Sequence, residues 1–560
     1  MKIIIIGAVA AGTSAAAKAR RNNEFAEIVI YDRDTFISYS SCGMPYYIGG
    51  QVDDIDDLTP RDVEFFKSRY RINIKTSHEV IDINAESKTV TVKDLENNNI
   101  LVDTYDKLVI ATGARARVPN IKGINNAFCL RSIKDAQDIK HFATINKPKT
   151  ALVVGTGFIG LELYESLIKL NLDVTLLEQE DRIMPTFDAD MSKYLKEVLK
   201  AKGVKIRTSI QVIEISEKYV KLNTGEIIQT EMVVIATGVE PNVSLAKSVG
   251  IILGKSGAIK VDKHMKTSIK DIYACGDCVE TFSMITGKPM YRAMGTIANK
   301  TGRIAGDVIT GGTLSYRGGL GTSVCKVFET TIGSTGMTEA EAIALGIEVV
   351  VCHNIKPNRP LYMDGREMVI KAIADKKFGK LLGAQIIGEY GVDKRIDVIA
   401  TLITYEAKVN ELFDLDLSYA PPFSTAKDPV VYTGMILNNA INENRQIVTI
   451  DNIQKLGDNI QLVDVRTEHE YNSSHIEGAI NIPHDMLREK LALLDKDKII
   501  IVYCNKGVTG NAAQNILLNY GFTKVYNISG GHKFYNGVTN QIDFGSRDGA
   551  TLTSINTELF

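Results

Sequence analysis

Cysteine is scarce in this chain. There are seven in 560 residues, an odd number and scattered. That excludes a disulfide framework and implies reduced thiols in the cytosol. An excess of either charge is also missing. Lys and Arg number 65 against 67 Asp and Glu, a formal net charge of -2, so the chain has no electrostatic footprint of a nucleic-acid binder. Long apolar runs are absent. The opening run Ile3 to Ile6 is followed at once by glycine. It is too short for a signal peptide or a membrane span, and it reads as a buried parallel strand. The eight histidines show no metal-ligand spacing, so no metal is expected, and no low-complexity tract occurs.

What is present is length for three or four ordinary domains. The first 110 residues alternate strand and helix signals in the manner of a doubly wound sheet. Lys2 to Ile6 is a predicted strand, Gly12 to Asn22 a helix, and Glu27 to Asp32 a strand. The pattern restarts at Lys149, with Ala151 to Val154 a strand, Phe158 to Leu170 a helix and Asp173 to Glu178 a strand. Each copy ends in the same phrase, Val109-Ile110-Ala111-Thr112-Gly113 and Val234-Ile235-Ala236-Thr237-Gly238. This is an internal duplication of two dinucleotide-binding folds, the second inserted in the first. The first spans 1–148 and 261–321, and the second 149–260. From 322 to 440 the character changes, with strands at Thr322 to Phe328 and Met368 to Ala374 and a helix near Lys394 to Tyr405. Polar Asn438 to Arg445 holds a linker to a new α/β domain over 446–545, and the last fifteen or so residues read as a loose tail.

Gly155-Thr156-Gly157-Phe158-Ile159-Gly160 is a G-x-G-x-x-G between strand and helix. The first glycine permits the tight turn, the second lets backbone approach a pyrophosphate on the helix N-terminus, and the third allows close packing. Glu178 ends the next strand about twenty residues on, where a carboxylate binds a ribose 2′-hydroxyl. With Glu180 following and no basic residue before Arg182, a 2′-phosphate meets repulsion, so NADH is favoured over NADPH. The N-terminal copy is degenerate. Gly7-Ala8-Val9-Ala10-Ala11-Gly12 has Val9 at the middle glycine, but Asp32 again ends the next strand. Ile272-Tyr273-Ala274-Cys275-Gly276-Asp277 resembles a second flavin motif whose Asp binds the ribityl and phosphate region. Together these indicate FAD in the N-terminal site. Cys275 and Cys278 also form a C-x-x-C, open to a thioredoxin or zinc reading, but no second pair exists for zinc. Cys129, Cys325 and Cys352 read as small buried apolar residues.

Cys42 stands in Ser38-Tyr39-Ser40-Ser41-Cys42-Gly43-Met44-Pro45, with no second cysteine near it in sequence. A thiol there can touch a bound flavin, and a lone thiol needs a partner sulfur from outside.

With Cys42 in this context, residues 1 to about 440 resemble the coenzyme A disulfide reductases, the single-cysteine members of the flavin disulfide reductases. The match rests on the Cys42 phrase through Tyr47, on both dinucleotide motifs, and on Ser418-Tyr419-Ala420-Pro421-Pro422-Phe423-Ser424. Residues 446 to about 545 resemble a rhodanese domain. Its phrases are Val463-Asp464-Val465-Arg466, Glu470-Tyr471, His475-Ile476-Glu477-Gly478-Ala479-Ile480-Asn481-Ile482-Pro483, and Cys504 after a strand. The whole chain resembles fusions of the two, some of which act as NADH-dependent persulfide reductases. The implied fold is α/β: two Rossmann-like FAD/NAD(P)-binding domains, an α+β dimerisation domain over 322–440, and a C-terminal α/β rhodanese domain.

The resemblance also implies roles. Cys42 is the redox nucleophile, Tyr419 and Tyr362 complete its site from the second subunit of a homodimer, and Cys504 handles sulfur. Coenzyme A lies along Ser14, Lys18, Arg21, Ser38 and Ser41, with Asn299 and Lys427 nearby. Lys18 and Arg21 are close to one helical turn apart and could pair with its phosphates, or they form an ordinary solvated face. Cofactor-binding residues are Gly7, Ala10, Ala11, Gly12, Asp32, Val80, Ala111, Thr112, Gly113, Arg131, Gly276 and Asp277 for FAD. For NADH they are Gly155, Gly157, Phe158, Ile159, Gly160, Glu162, Glu178 and Gly238.

Two departures matter. Flavin NADH oxidases and peroxidases share this cysteine position but carry His where this chain has Ala10, which favours thiol–disulfide work. In Cys504-Asn505-Lys506-Gly507-Val508-Thr509-Gly510, Thr509 replaces the usual Arg, which puts thiosulfate transfer in doubt. The function read from the sequence is electron passage from NADH through flavin and Cys42 to coenzyme A disulfide or to low-molecular-weight persulfides and polysulfides. No nucleic acid or membrane partner is expected. Two alternatives stay open: an NADH oxidase or peroxidase, and a redox-sensing protein whose rhodanese domain only docks a partner.

Overall fold

A computed structural model describes residues 1–539; the C-terminal tail lies outside the described residues. Two compact units form, one from Met1–Ser192 with Gly203–Glu443, the other from Lys193–Lys202 with the chain from Asn444 on.

In the first unit, the strand Lys2–Ile6 is buried on both faces, as its unbroken isoleucines require. It sits at the centre of a five-stranded parallel sheet. Lys107–Ile110 and Ile272–Ala274 follow on one side, and Glu27–Tyr31 and Asn73–Lys75 on the other. The helix after it, Ala10–Asn22, begins two residues before Gly12. It packs on Gly295–Val308 because the facing residues are small. A Cβ on Gly302 would stand 2.3 Å from the Ala11 carbonyl oxygen, and one on Gly306 2.2 Å from that of Ala15. The second sheet repeats the plan with Thr150–Val154 between Asp173–Leu177 and Met232–Ile235. Its outer strand, Phe128–Cys129, pairs with Met232–Ile235. The chain therefore joins the second sheet before residue 149, and Cys129 is half-buried in it rather than fully buried.

A five-stranded antiparallel sheet follows, ordered Ser323–Val327, Thr330–Gly336, Leu381–Gly388, Glu367–Asp375 and Val349–Pro357. Helices Val392–Thr404 and Pro429–Asn442 pack on it. The second helix runs through Asn442, and the division between the two units, at Glu443 and Asn444, falls inside the polar stretch expected to hold the linker. A buried ionic cluster ties this sheet to the second dinucleotide domain. Lys371, with 1% side-chain exposure, lies 2.8 Å from Asp190, 2.7 Å from Glu339 and 3.3 Å from Asp188. His353 Nε2 also meets Asp190, at 2.7 Å. Burial alone would raise the Asp190 carboxyl, but His353 and Lys371 hold it well below the usual carboxylate range.

The second unit carries a parallel sheet ordered Ile447–Val448, Val525–Ile528, Ile499–Tyr503, Ile460–Asp464 and Ile480–Asn481. No helix among the described residues is long and apolar enough to cross a membrane.

Candidate functional site

The two dinucleotide loops are built alike. Gly7 and Gly155 both adopt φ of +108°, where a Cβ would stand 2.3 Å from the Ala111 oxygen and 2.4 Å from the Ala236 oxygen. Gly12 and Gly160 close onto the first glycine's carbonyl, at 1.8 and 2.1 Å for a hypothetical Cβ. Gly157 has nothing within 4 Å on that side, the open approach a pyrophosphate needs. The acidic residues serve the same local purpose. Asp32 Oδ2 accepts from Ala8 N at 2.6 Å, and Glu178 Oε2 accepts from Thr156 N at 3.0 Å and Thr156 Oγ1 at 2.6 Å. Burial pushes the Asp32 carboxyl up against the hydrogen bonds that hold it down. Phe158 and Ile159 open the helix Phe158–Lys169, and Gly238, with φ of +98°, ends the second repeat phrase facing open space.

A cavity of about 470 Å³ opens beside the first loop, lined by Asp32, Val80, Thr112, Arg115 and Asn242 among others. Asn242 bridges the two copies of the repeat: its Nδ2 donates to the Thr112 carbonyl at 2.9 Å, and its own carbonyl accepts from Thr112 Oγ1 at 2.8 Å. Beyond Gly113, Arg131 Nη2 donates to Asp277 Oδ2 at 2.7 Å, while Asp277 Oδ1 is buried with no partner. Tyr291 OH donates to the Asp277 carbonyl at 2.9 Å, and Gly276 N to Thr301 Oγ1 at 3.0 Å. Gly276, at φ of +81°, has no room for a side chain, since a Cβ would meet Ala11 at 2.7 Å. An orphan carboxylate oxygen beside a glycine cradle and an open cavity fits a dinucleotide with polar ribityl and phosphate groups. Tyr291, Thr301 and Asn242 are supports with no signal in the sequence, being distant in the chain and outside any motif.

Cys42 lies exposed in the turn Ser41–Gly43, ahead of the short helix Met44–Ile48 whose Met44, Pro45 and Ile48 are buried. Ser38 N donates to the Ala8 carbonyl at 2.9 Å, so the segment bearing Ser38, Ser41 and Cys42 is docked on the first dinucleotide loop. Four residues on, Tyr46 OH meets Glu162 Oε1 at 3.2 Å, joining the cysteine helix to the helix of the second loop. Burial lifts the Glu162 carboxyl to about 7, more than the Tyr46 hydrogen bond lowers it.

Of the residues assigned to coenzyme A, Ser14 Oγ donates to Asn299 Oδ1 at 2.7 Å. Lys18 is engaged by Asp307 at 3.0 Å and by Asn22 at 2.9 Å, so its charge is already paired within the chain. Arg21 lies over the Tyr70 ring and donates to its hydroxyl at 3.2 Å. Lys427 sits near the Tyr432 ring. Tyr362 and Tyr419 are 75% and 52% exposed, and Leu361 and Phe423, close to them in sequence, are exposed as well. Cys275 and Cys278 are buried, and burial pushes both thiols up. Among the described residues no group of three or more His, Cys, Asp or Glu is placed to hold a metal ion.

In the second unit Cys504 is 6% exposed at the end of Ile499–Tyr503. Its Sγ accepts from Gly507 N at 3.1 Å, and the helix Val508–Asn519 begins there with Gly507 as its N-cap. Thr509 falls in the first turn of that helix. Behind the loop, Arg466 and Asp464 form a buried two-pronged pair, with Nη2–Oδ2 of 2.6 Å and Nε–Oδ1 of 3.0 Å. Burial, with the neighbouring Arg466, holds His532 down at about 4, so its neutral Nδ1 can accept from Arg466.

The family model described as pyridine nucleotide-disulphide oxidoreductase matches residues 1–298. The dimerisation domain of that family matches 322–429, and a rhodanese-like domain matches 448–536. A solved structure of reduced CoADR-RHD from Bacillus anthracis is similar over 96% of this chain and 98% of its own, at 39% identity and a TM-score of 0.93. An NAD-dependent persulfide reductase from A. fulgidus is similar over 96% of this chain and 100% of its own, at 36% identity and a TM-score of 0.88. Among curated proteins, an NADH oxidase of Methanocaldococcus jannaschii is 36% identical over 77% of this chain and 97% of its own. A coenzyme A disulfide reductase of Staphylococcus haemolyticus is 31% identical over 77% of this chain and 98% of its own.

Proposed function

This chain belongs to the pyridine nucleotide-disulphide oxidoreductase family, with a rhodanese-like domain appended, and on that premise we propose that it reduces coenzyme A disulfide or coenzyme A and low-molecular-weight persulfides with NADH. The family implies FAD and NAD(P)H, and a hydride from NAD(P)H passed through FAD would supply the one electron pair that reopens a disulfide at Cys42. The observation that carries the reading is a single exposed thiol, Cys42, on a turn docked against the first dinucleotide loop through Ser38 and Ala8. With no resolving cysteine beside it in sequence, Cys42 Sγ bonds to one substrate sulfur. The substrate S–S bond breaks and one thiolate leaves. Reduction of the mixed disulfide releases the second thiol and restores Cys42.

NADH is favoured because Glu178 is fixed against the loop at Thr156, where a 2′-phosphate would face a carboxylate. Coenzyme A fits the run from Ser14 to Arg21 with Asn299, with Arg21 available to its phosphates and Lys18 held by Asp307. The exposed Tyr362, Tyr419, Leu361 and Phe423 suit a homodimer in which the tyrosines complete the site of the second subunit. Cys504, facing the Gly507 amide and a helix N-terminus, suits a persulfide anion held by backbone dipoles. The rival reading, an oxidase, is disfavoured by Ala10 in place of a histidine.

A panel of coenzyme A disulfide, coenzyme A persulfide, polysulfide and oxygen, followed by NADH loss and sulfide release, tests the proposal. Turnover with the sulfur substrates well above that with oxygen supports it. Oxygen as the best acceptor overturns it, and negligible turnover with every acceptor points to a sensor.

A further inference from the structure

Asn527 is 5% exposed, on the strand Val525–Ile528. The parallel register sets it beside Val502, two residues before Cys504. Its Nδ2 donates to the Gly507 carbonyl at 2.9 Å. Gly507 has φ of +96°, caps the helix Val508–Asn519, and turns its N–H onto Cys504 Sγ at 3.1 Å. Asn527 Oδ1 is buried without a partner and faces Gly510, where a Cβ would stand 2.3 Å away. The side-chain amide has one workable orientation, because turning it over would set Oδ1 against the Gly507 oxygen. The other end of the loop is gripped by backbone: His532 N donates to the Cys504 carbonyl and Lys533 N to the Asn505 carbonyl, both at 2.9 Å. A loop that must stay in a left-handed turn is thus held at both ends, and at Gly507 the carbonyl takes two donors, the helix amide Asn511 N at 2.9 Å and Asn527 Nδ2, the second being the bond that ties the turn to the neighbouring strand.

We propose that Asn527 is a positioning residue for Cys504. By holding the Gly507 carbonyl it fixes the turn that aims the Gly507 N–H at the sulfur, and so keeps the amide cradle formed before an anionic sulfur arrives. A preformed cradle stabilises a negative sulfur without reorganisation. Part of the inference rests on reading Cys504 as a sulfur carrier, but the hydrogen bond concerned exists without any sulfur donor.

The test uses the full-length protein and two variants close in size to Asn: Asn527→Leu, which loses the hydrogen bond, and Asn527→Asp, which sets an acceptor against the Gly507 oxygen. Two measurements separate the outcomes. Hydrogen–deuterium exchange of the peptide covering Cys504 to Gly510 should rise at least tenfold in both variants, with exchange across Ile460–Asp464 and turnover through Cys42 unchanged. After loading with inorganic polysulfide, the Cys504 persulfide followed by mass spectrometry should be lost at least fivefold faster in Asn527→Leu, and faster still in Asn527→Asp. Unchanged loop exchange, or a fall in thermal midpoint with an unchanged persulfide lifetime, overturns the proposal. If the wild-type protein takes up no persulfide at Cys504, the carrier reading fails, and loop exchange alone decides whether Asn527 positions the turn.

Discussion

Arg131 Nη2 and Asp277 Oδ2 are 2.7 Å apart, and the other Asp277 oxygen is buried with nothing bound to it. A buried carboxylate oxygen without a partner is costly, so this pair is poised for a donor that the described residues do not supply. Hydrogen bonds to a charged group contribute about 1.5–3 kcal/mol. Asp277→Leu should therefore lower flavin affinity by roughly tenfold to a hundredfold or more, read as flavin absorbance per chain after purification. Full flavin content in that variant would mean that Asp277 faces something else.

Glu162 gives a pH dependence with a definite sign. Its carboxyl is lifted to about 7 by burial, whereas an unfolded glutamate titrates near 4.3. Between those values the folded state keeps a proton that the unfolded state has released. Stability therefore falls as pH rises through that window, levels off above about 7, and loses on the order of 2–3 kcal/mol across it. Glu162→Gln should flatten this slope and stabilise the protein at pH 8 relative to wild type. Thermal midpoints of both proteins at pH 5 and pH 8 check this.

Lys371 meets three carboxylates, Asp188, Asp190 and Glu339, and His353 also meets Asp190. Replacing one member of a buried ionic set strands the others, at a cost of about 3–5 kcal/mol. Lys371→Met should lower the midpoint of chemical unfolding accordingly. A change below about 1 kcal/mol would place the cluster with weak surface pairs.

The parts of this architecture that were legible in the sequence are those where chemistry constrains residue type at fixed spacing. Gly7, Gly12, Gly155 and Gly160 are glycines because a Cβ would strike backbone, and Asp32 and Glu178 end strands because the loop amides need an acceptor. Cys42 stood out by isolation. Contacts set by long-range packing were not legible. Tyr46 and Glu162 are 116 residues apart in the chain. Lys18 reads from sequence as a phosphate partner or an ordinary solvated face, and its pairing with Asp307, made possible where Gly302 and Gly306 let the two helices approach, has no sequence signal. Asn438 to Arg445 holds the boundary between the units, as its polar composition suggests, but composition does not reveal that the helix Pro429–Asn442 runs into it. Asn527 carried no signal, since nothing in a strand sequence shows that one side chain supports a turn twenty residues earlier.

Thr509 lies in the first turn of the helix that follows Cys504, where the rhodanese resemblance expects Arg. Without that charge, anionic donors should bind poorly. Thiosulfate:cyanide transfer should therefore be slow in the wild type and improve roughly tenfold in Thr509→Arg, the worth of one charge-assisted contact. Cys504→Ser should spare coenzyme A disulfide reduction and impair reduction of bulky persulfides. Wild-type rates on every sulfur substrate in Cys504→Ser would leave the domain a docking module.

In the proposed reaction all electrons leave through Cys42. Cys42→Ser, assayed anaerobically with NADH and coenzyme A disulfide, measures it most directly. The variant should retain its flavin and lose turnover by about a thousandfold or more, because no neighbouring thiol substitutes. A flavin-loaded Cys42→Ser enzyme that turns over within about tenfold of wild type would show that the electrons leave by another route.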